Sequence, residues 1–147
     1  MTSQGARTLY GVHGWLAWWI FISTFISPII GFGEYASIYN SWKISVGYVP
    51  LGIHAIGISV VLLTIWQLVV ALNLKYRLVP ASRLMAITFC FLSPFLLWVG
   101  IEMTLSAYGI VDRFEYYEDL IKKGIGSFLW GIYFIRSKRC KNTYGEI

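Results

Sequence analysis

The sequence predicts an all-α fold, a four-helix transmembrane bundle with both termini cytoplasmic. Three observations predict it: a chain too apolar for water, hydrophobic stretches of helical length, and cations that gather at alternate ends of those stretches. Of 147 residues, 57% are hydrophobic, 18% aromatic and only 13% charged. A soluble domain carries about 25% charged and 45–50% apolar residues, so here the surplus apolar surface must face lipid. The formal charge of +5 is dispersed at the ends of apolar runs. No single basic patch forms, which argues against a nucleic-acid partner.

The first predicted helix covers residues 15–32 ("WLAWWIFISTFISPIIGF"), the second 53–74 and the third 84–101. About 20 apolar residues cross the hydrocarbon core, and all three stretches fall within the usual range. The apolar part of the fourth, residues 124–135, is too short alone. Its case rests on charge, because cytoplasmic loops collect Lys and Arg. Four crossings put Arg7, Lys75, Arg77, Arg83, Arg136, Lys138, Arg139 and Lys141 on one side, and six of the seven acids on the other. Three crossings would strand the most basic segment on the wrong side.

The fourth helix is expected to span 113–135, with an extracytoplasmic helical extension ahead of its apolar part. Asp112 and Glu115 have capping-box spacing, and Glu118–Lys122 and Asp119–Lys123 are i,i+4 pairs of favourable polarity. Lys122 and Lys123 can snorkel outward and Arg136 inward, lengthening a short span. An interfacial helix lying flat is the competing reading. Residues 1–147 read as one integral membrane domain, its first helix a retained anchor.

"FISP" at 25–28 and "FLSP" at 91–94 mark related points in the first and third helices. Pro28 and Pro94 each withhold a donor from a carbonyl one turn back, at Thr24 and Cys90. In lipid such carbonyls need partners, and Ser27 and Ser93 stand beside them. The repeat suggests two related hairpins, as in some transporters. Ser23, Ser27 and Gly31 line one face of the first helix, and Ser127 and Gly131 one face of the fourth. Such small-residue faces permit close approach, so these two helices are expected to pack together, within one chain or between chains.

"GVHGWL" at 11–16 and "WGIYFIRSKRCKNTY" at 130–144 resemble the opening and ending motifs of a bacterial inner-membrane family, domain of unknown function 2569. The resemblance implies a four-helix inner-membrane protein with no established activity. Its matching positions are Gly11, Gly14, Trp15, Leu16, Trp130, Tyr133, Phe134, Ser137, Arg139, Lys141 and Thr143. His13 departs from the pattern, which has a small residue there.

Physically the two motifs should meet as a clasp on the inner face. Gly11 and Gly14 allow turns that other residues resist, and the Trp and Tyr side chains suit the headgroup level. Ser137 and Thr143 can cap exposed carbonyls at the helix end, with Arg139 as a donor. Arg136, Lys138, Arg139 and Lys141 are expected to grip lipid headgroups, since an anionic leaflet attracts each such cation by about 1 kcal/mol. Cys140, among these cations, has either a lowered pKa or the character of an inert thiol. No disulfide with Cys90 is expected.

At the opposite boundary Glu34, His54 and Glu102 form a candidate polar cluster, near Lys122 and Lys123. Ionisable groups in membrane helices are functional candidates by default, but their spacing matches no metal motif, and no cofactor is expected. P-loop, nucleophile-elbow, CxxC and HExxH motifs are lacking, so the chain is not read as an enzyme. The leading reading is a non-catalytic scaffold, assembly or sensing protein. Its expected partners are membrane lipids with anionic headgroups, and a homo-oligomer or membrane-protein partner. The alternative is a small oligomeric transporter or channel, with a polar cavity reached by Thr24, Ser27, Ser93 and His54.

Overall fold

The computed structural model describes residues 11–49, 51–107 and 114–146, and its regular structure there is all helix. Helix α1 (Trp15–Val46) starts as an α-helix, passes through a π-helical turn at Ile22–Ile26 and resumes as Ser27–Val46. Helices α2 (Leu51–Tyr76), α3 (Pro80–Ala107) and α4 (Phe114–Arg136) follow, and a short α5 (Lys138–Tyr144) ends the described chain.

Every long helix extends beyond its apolar run, α1 most of all. Hydropathy falls after Phe32, yet the polar stretch beyond it stays helical until Gly47, whose φ of 81° stops the helix with its N–H on the Lys43 carbonyl. At 1.5 Å per residue, the 32 residues of α1 make a rod of about 48 Å, longer than a ~30 Å hydrocarbon core. Pro80 opens α3, where its missing N–H and fixed φ cost nothing. Asp112 of the expected capping box lies outside the described residues.

Helix α1, Gly57–Tyr76 of α2 and Pro80–Glu102 of α3 are long and apolar enough to cross a membrane. Large apolar side chains stand exposed along them, Ile29 at 73% and Leu62 at 60%. These are the surplus residues that composition alone assigned to lipid.

Consecutive helices pair along their lengths, α1 with α2, α2 with α3 and α3 with α4. Arg83, one turn into α3, bonds to the last carbonyls of α4. Tyr144 Oη donates to Leu74 O near the end of α2. The Gly11 N–H, just ahead of α1, donates to Thr143 Oγ1. Those bonds gather two helix starts and two helix ends at one pole, the clasp end. The buried core lies there too: Leu16, Trp19, Val70, Leu74, Phe89, Phe134, Cys140 and Tyr144 belong to one cluster.

The small-residue faces do not join α1 to α4 as expected. Gln67 of α2 lies between Ser23 and Ser27, donating to one hydroxyl at 2.9 Å and accepting from the other at 2.8 Å. A Cβ on Gly31 would come within 2.7 Å of Thr64 Oγ1. Likewise Ser127 and Gly131 face α3, where a Cβ on Gly131 would lie 2.7 Å from the Phe91 ring. Each hairpin uses its small face internally, because sequential helices joined by short turns are the first to pair. Helices α1 and α4 meet instead through rings at the clasp end, Trp19 edge-on to Phe134 at 5.2 Å, and through an ion pair at the far end.

The two Ser-Pro sites are accommodated differently. In α3 the carbonyl of Cys90, deprived of its donor by Pro94, accepts the Ser127 hydroxyl of α4 at 2.8 Å. Its partner thus comes from the neighbouring helix and not from adjacent Ser93. In α1 the π-helical turn precedes Pro28 and shifts the register, the Ser27 N–H reaching Ile22 O. Such a turn is a usual way to absorb a missing donor. The FISP and FLSP repeat is therefore not repeated in local backbone.

Candidate functional site

Two features command the molecule: the clasp and a cavity behind it. The clasp begins with Gly11 and Gly14, whose φ values of 88° and 61° lie in the left-handed region that glycine alone enters freely. That turn brings Gly11 to Thr143, whose Oγ1 accepts its N–H at 2.9 Å. Leu16 is fully buried, while Trp15 lies at the surface with its ring 6.3 Å from that of Trp130. Trp130 also stacks edge-on with Tyr133 at 5.4 Å.

Ser137 caps the start of α5, accepting from the Cys140 N–H, and so does not serve the carbonyls of α4. That duty falls to Arg83, 4% exposed. Its Nε donates to Phe134 O at 2.8 Å, one terminal nitrogen to Ile135 O at 2.9 Å and the other to Gly145 O at 2.8 Å. A guanidinium suits this work because its planar fork serves several acceptors at once. Sequence reading counted Arg83 only as one more inner cation. A signal existed: a cation in the first turn of a helix opposes the macrodipole, so something else must hold it.

Of the four headgroup candidates, Arg136, Lys138 and Lys141 are exposed, whereas Arg139 is half-buried within the clasp. Cys140 is fully buried. Burial pushes its thiol pKa up, against the Ser137 hydrogen bond and the charges of Arg83 and Arg139, which pull it down. The inert-thiol reading fits that environment. Tyr144 is likewise raised, by burial first and then by its neighbours Cys140 and Tyr133.

The cavity, about 390 Å³, lies between all four long helices. At the clasp end it stops on Trp19, Phe89 and Trp130, rings that pack edge-on or tilted against Phe134, Trp66 and one another. At the other end stand Glu34, Lys122 and Lys123, with Lys123 Nζ 2.9 Å from Glu34 Oε1 and both side chains 40–50% exposed, 49% and 42%. Its lining thus runs from buried rings at the clasp end to exposed charges at the other. Gln67, unremarked in the apolar run of α2, is its central polar group. A lone amide inside such a run was the available signal.

The three residues of the expected polar cluster have these surroundings. Glu34 pairs with Lys123 of α4, and His54 Nδ1 lies 3.4 Å from Tyr35 Oη, with the Tyr39 ring alongside. Glu102 is half-buried on α3. Among the described residues no three His, Cys, Asp or Glu side chains converge as metal ligands. Lys122 pairs with Glu118 as the i,i+4 spacing suggested, whereas Lys123 crosses to α1. The Asp119 side chain lies outside the described residues.

Fold and cavity together define a class: an all-helical protein with three helices apolar enough to cross a membrane. In comparisons with known proteins, the chain matches no family model, no curated protein and no solved structure.

Proposed function

We propose that this chain is a four-crossing protein of the bacterial inner membrane, with residues 11 and 146 on the cytoplasmic side. Its work is non-catalytic: it senses or assembles by holding a ligand in the cavity between the four long helices. Support for α4 as a crossing comes from its antiparallel pairing with α3 and its 23 residues, about 34 Å of helix at 1.5 Å each. The resemblance to domain of unknown function 2569 rests on the two terminal motifs. The Gly11–Thr143 hydrogen bond, which joins one motif to the other, supports reading them as a unit.

The observation that carries the binding reading is the cavity's two-ended lining, with buried aromatic rings at one end and exposed charges at the other. Single cysteines at positions 8 and 142, in a C90S/C140S background, test the topology with a membrane-impermeant maleimide. Both should react from the cytoplasmic side alone; labelling from opposite sides overturns the proposal.

A small oligomeric transporter is the second reading, favoured by Ser27 and Ser93 in the cavity wall. Thr24 and His54, which it also required, are engaged elsewhere: Thr24 Oγ1 donates back to Ile20 O at 2.7 Å, and His54 sits with Tyr35. Solute flux in proteoliposomes no faster than in empty liposomes removes it.

A further inference from the structure

Which ligand the cavity suits can be argued from its walls. Four polar side chains that line it turn their donors on the protein itself. Ser27 donates to Gln67, Gln67 to Ser23, Thr64 to Val60 O and Ser127 to Cys90 O, all within 2.9 Å. A polar solute entering would leave water for a wall where these four donors are already engaged, at a cost of several kcal/mol per unmet group. An alkyl chain has no such groups, and Ile22, Ile30, Leu63 and Leu97 offer it apolar surface.

The mouth has the opposite character. Lys122, Lys123 and Glu34 line it, and each lysine stands at the surface beside one glutamate. Lys122 and Lys123 hold exposed partners, Glu118 and Glu34, and exposed ion pairs contribute at most about 1 kcal/mol each. An incoming anion can therefore take over either ammonium at small cost. Size sets the stoichiometry, since a 390 Å³ cavity is near the lower end of the roughly 300–1,000 Å³ that ligand pockets occupy.

We propose that the cavity binds one single-chain anionic amphiphile, tail against Trp19 and Trp130 and head at Lys122 and Lys123. A long-chain carboxylate and a lysophospholipid share this chemistry. The proposal rests on the cavity being a binding site and adds the class of its occupant.

The test uses the full chain in nanodiscs of zwitterionic lipid, with native mass spectrometry as readout. Palmitate and lysophosphatidylglycerol are the two probes, and hexadecylamine the charge-reversed control. Saturable one-to-one binding of either acid is expected, the tighter one naming the source. Losing two headgroup cations in K122Q/K123Q should weaken it about tenfold or more. Gly126 lines the cavity with nothing within 4 Å of a built Cβ, so the first carbon of a side chain has room there, and Gly126→Leu should fill the cavity and abolish binding.

Hexadecylamine binding as tightly as palmitate overturns the assignment of an anionic head. Should neither acid bind while a polar solute co-purifies and is lost in Gly126→Leu, the cavity is a site but the ligand class is wrong. A cavity empty under every condition, with Gly126→Leu merely raising Tm, overturns this proposal and the binding reading together.

Discussion

Arg83 Nε donates to the backbone carbonyl of Phe134 across 2.8 Å, and this bond fixes the beginning of α3 to the end of α4. The last carbonyls of any helix lack intrahelical donors and carry the negative end of the macrodipole. Here they are buried or partly buried, and a guanidinium answers two of them while also holding Gly145 O. Its charge is stabilised by three oriented dipoles in place of a carboxylate.

Arg83→Met should therefore be the most damaging substitution at the clasp. It leaves three carbonyls without their donor, and hydrogen bonds to charged groups contribute about 1.5–3 kcal/mol each, with incomplete additivity. A loss on the order of 3–5 kcal/mol is expected, read as a large fall in thermal midpoint in detergent. Arg83→Lys keeps the charge but not the fork, and should recover less than half of that loss. Full recovery by lysine would mean that charge alone matters.

How much of this was legible beforehand differs from residue to residue. Helices α2 and α3 were plain from apolar length, and the meeting of Gly11 with Thr143 was foreseeable because two glycine-permitted turns and a polar helix end lay at one boundary. The outer half of α1 was hidden, since "GEYASIYNSWK" is too polar for hydropathy to register although nothing in it breaks a helix. The pairing of small faces was misjudged because spacing reveals a stripe but not its neighbour. Gln67 and Thr64 on α2 decided that neighbour, and only three-dimensional adjacency exposes their role. Arg83 was missed for a related reason: charge counting locates a cation by side, not by what it bonds to.

Glycine positions should separate sharply. A Cβ at Gly131 would lie 2.7 Å from the Phe91 ring and 3.3 Å from Cys90 Cβ, so Gly131→Ala should cost about 1–3 kcal/mol through overpacking. Gly33, on α1 with open space around it, should behave oppositely, gaining about 0.5–1 kcal/mol as alanine from lower chain entropy. Adding Phe91→Leu to Gly131→Ala should restore part of the loss. Thermal unfolding of all three variants in one detergent checks the ranking, and equal effects at Gly131 and Gly33 would contradict it.

Alkaline pH should loosen the clasp. Burial raises the pKa of both the Cys140 thiol and the Tyr144 phenol, so the folded state holds these protons more tightly than the unfolded chain does. Their contribution is complete below the ordinary thiol pKa of about 8.5 and declines as pH climbs above it. Stability against heat should be flat near neutrality and fall from about pH 9 upward, the thiol acting before the phenol. In C140S/Y144F that alkaline limb should be shallower, at the expense of the Tyr144–Leu74 hydrogen bond. An unchanged limb would assign it to other groups. The same burial predicts slow alkylation of Cys140 near neutral pH, accelerated by denaturant.

Gln67 supplies the contrast that ranks the two polar centres. Gln67→Met keeps volume and removes both bonds to α1, one to Ser23 and one to Ser27. Interhelical hydrogen bonds in membrane proteins average about 0.6 kcal/mol and seldom exceed ~1.7, because released side chains find other partners. The serines have such a partner at hand. Thr24, Ser59 and Thr64 each donate to the carbonyl four residues back, and Ser23 and Ser27 can do the same. The backbone carbonyls held by Arg83 lie at the end of a helix, where no further intrahelical N–H follows to replace it. Gln67→Met should therefore cost about 1 kcal/mol, well under half the effect of Arg83→Met. Equal falls in thermal midpoint for the two variants would show that the cavity wall, and not the clasp, holds the bundle together.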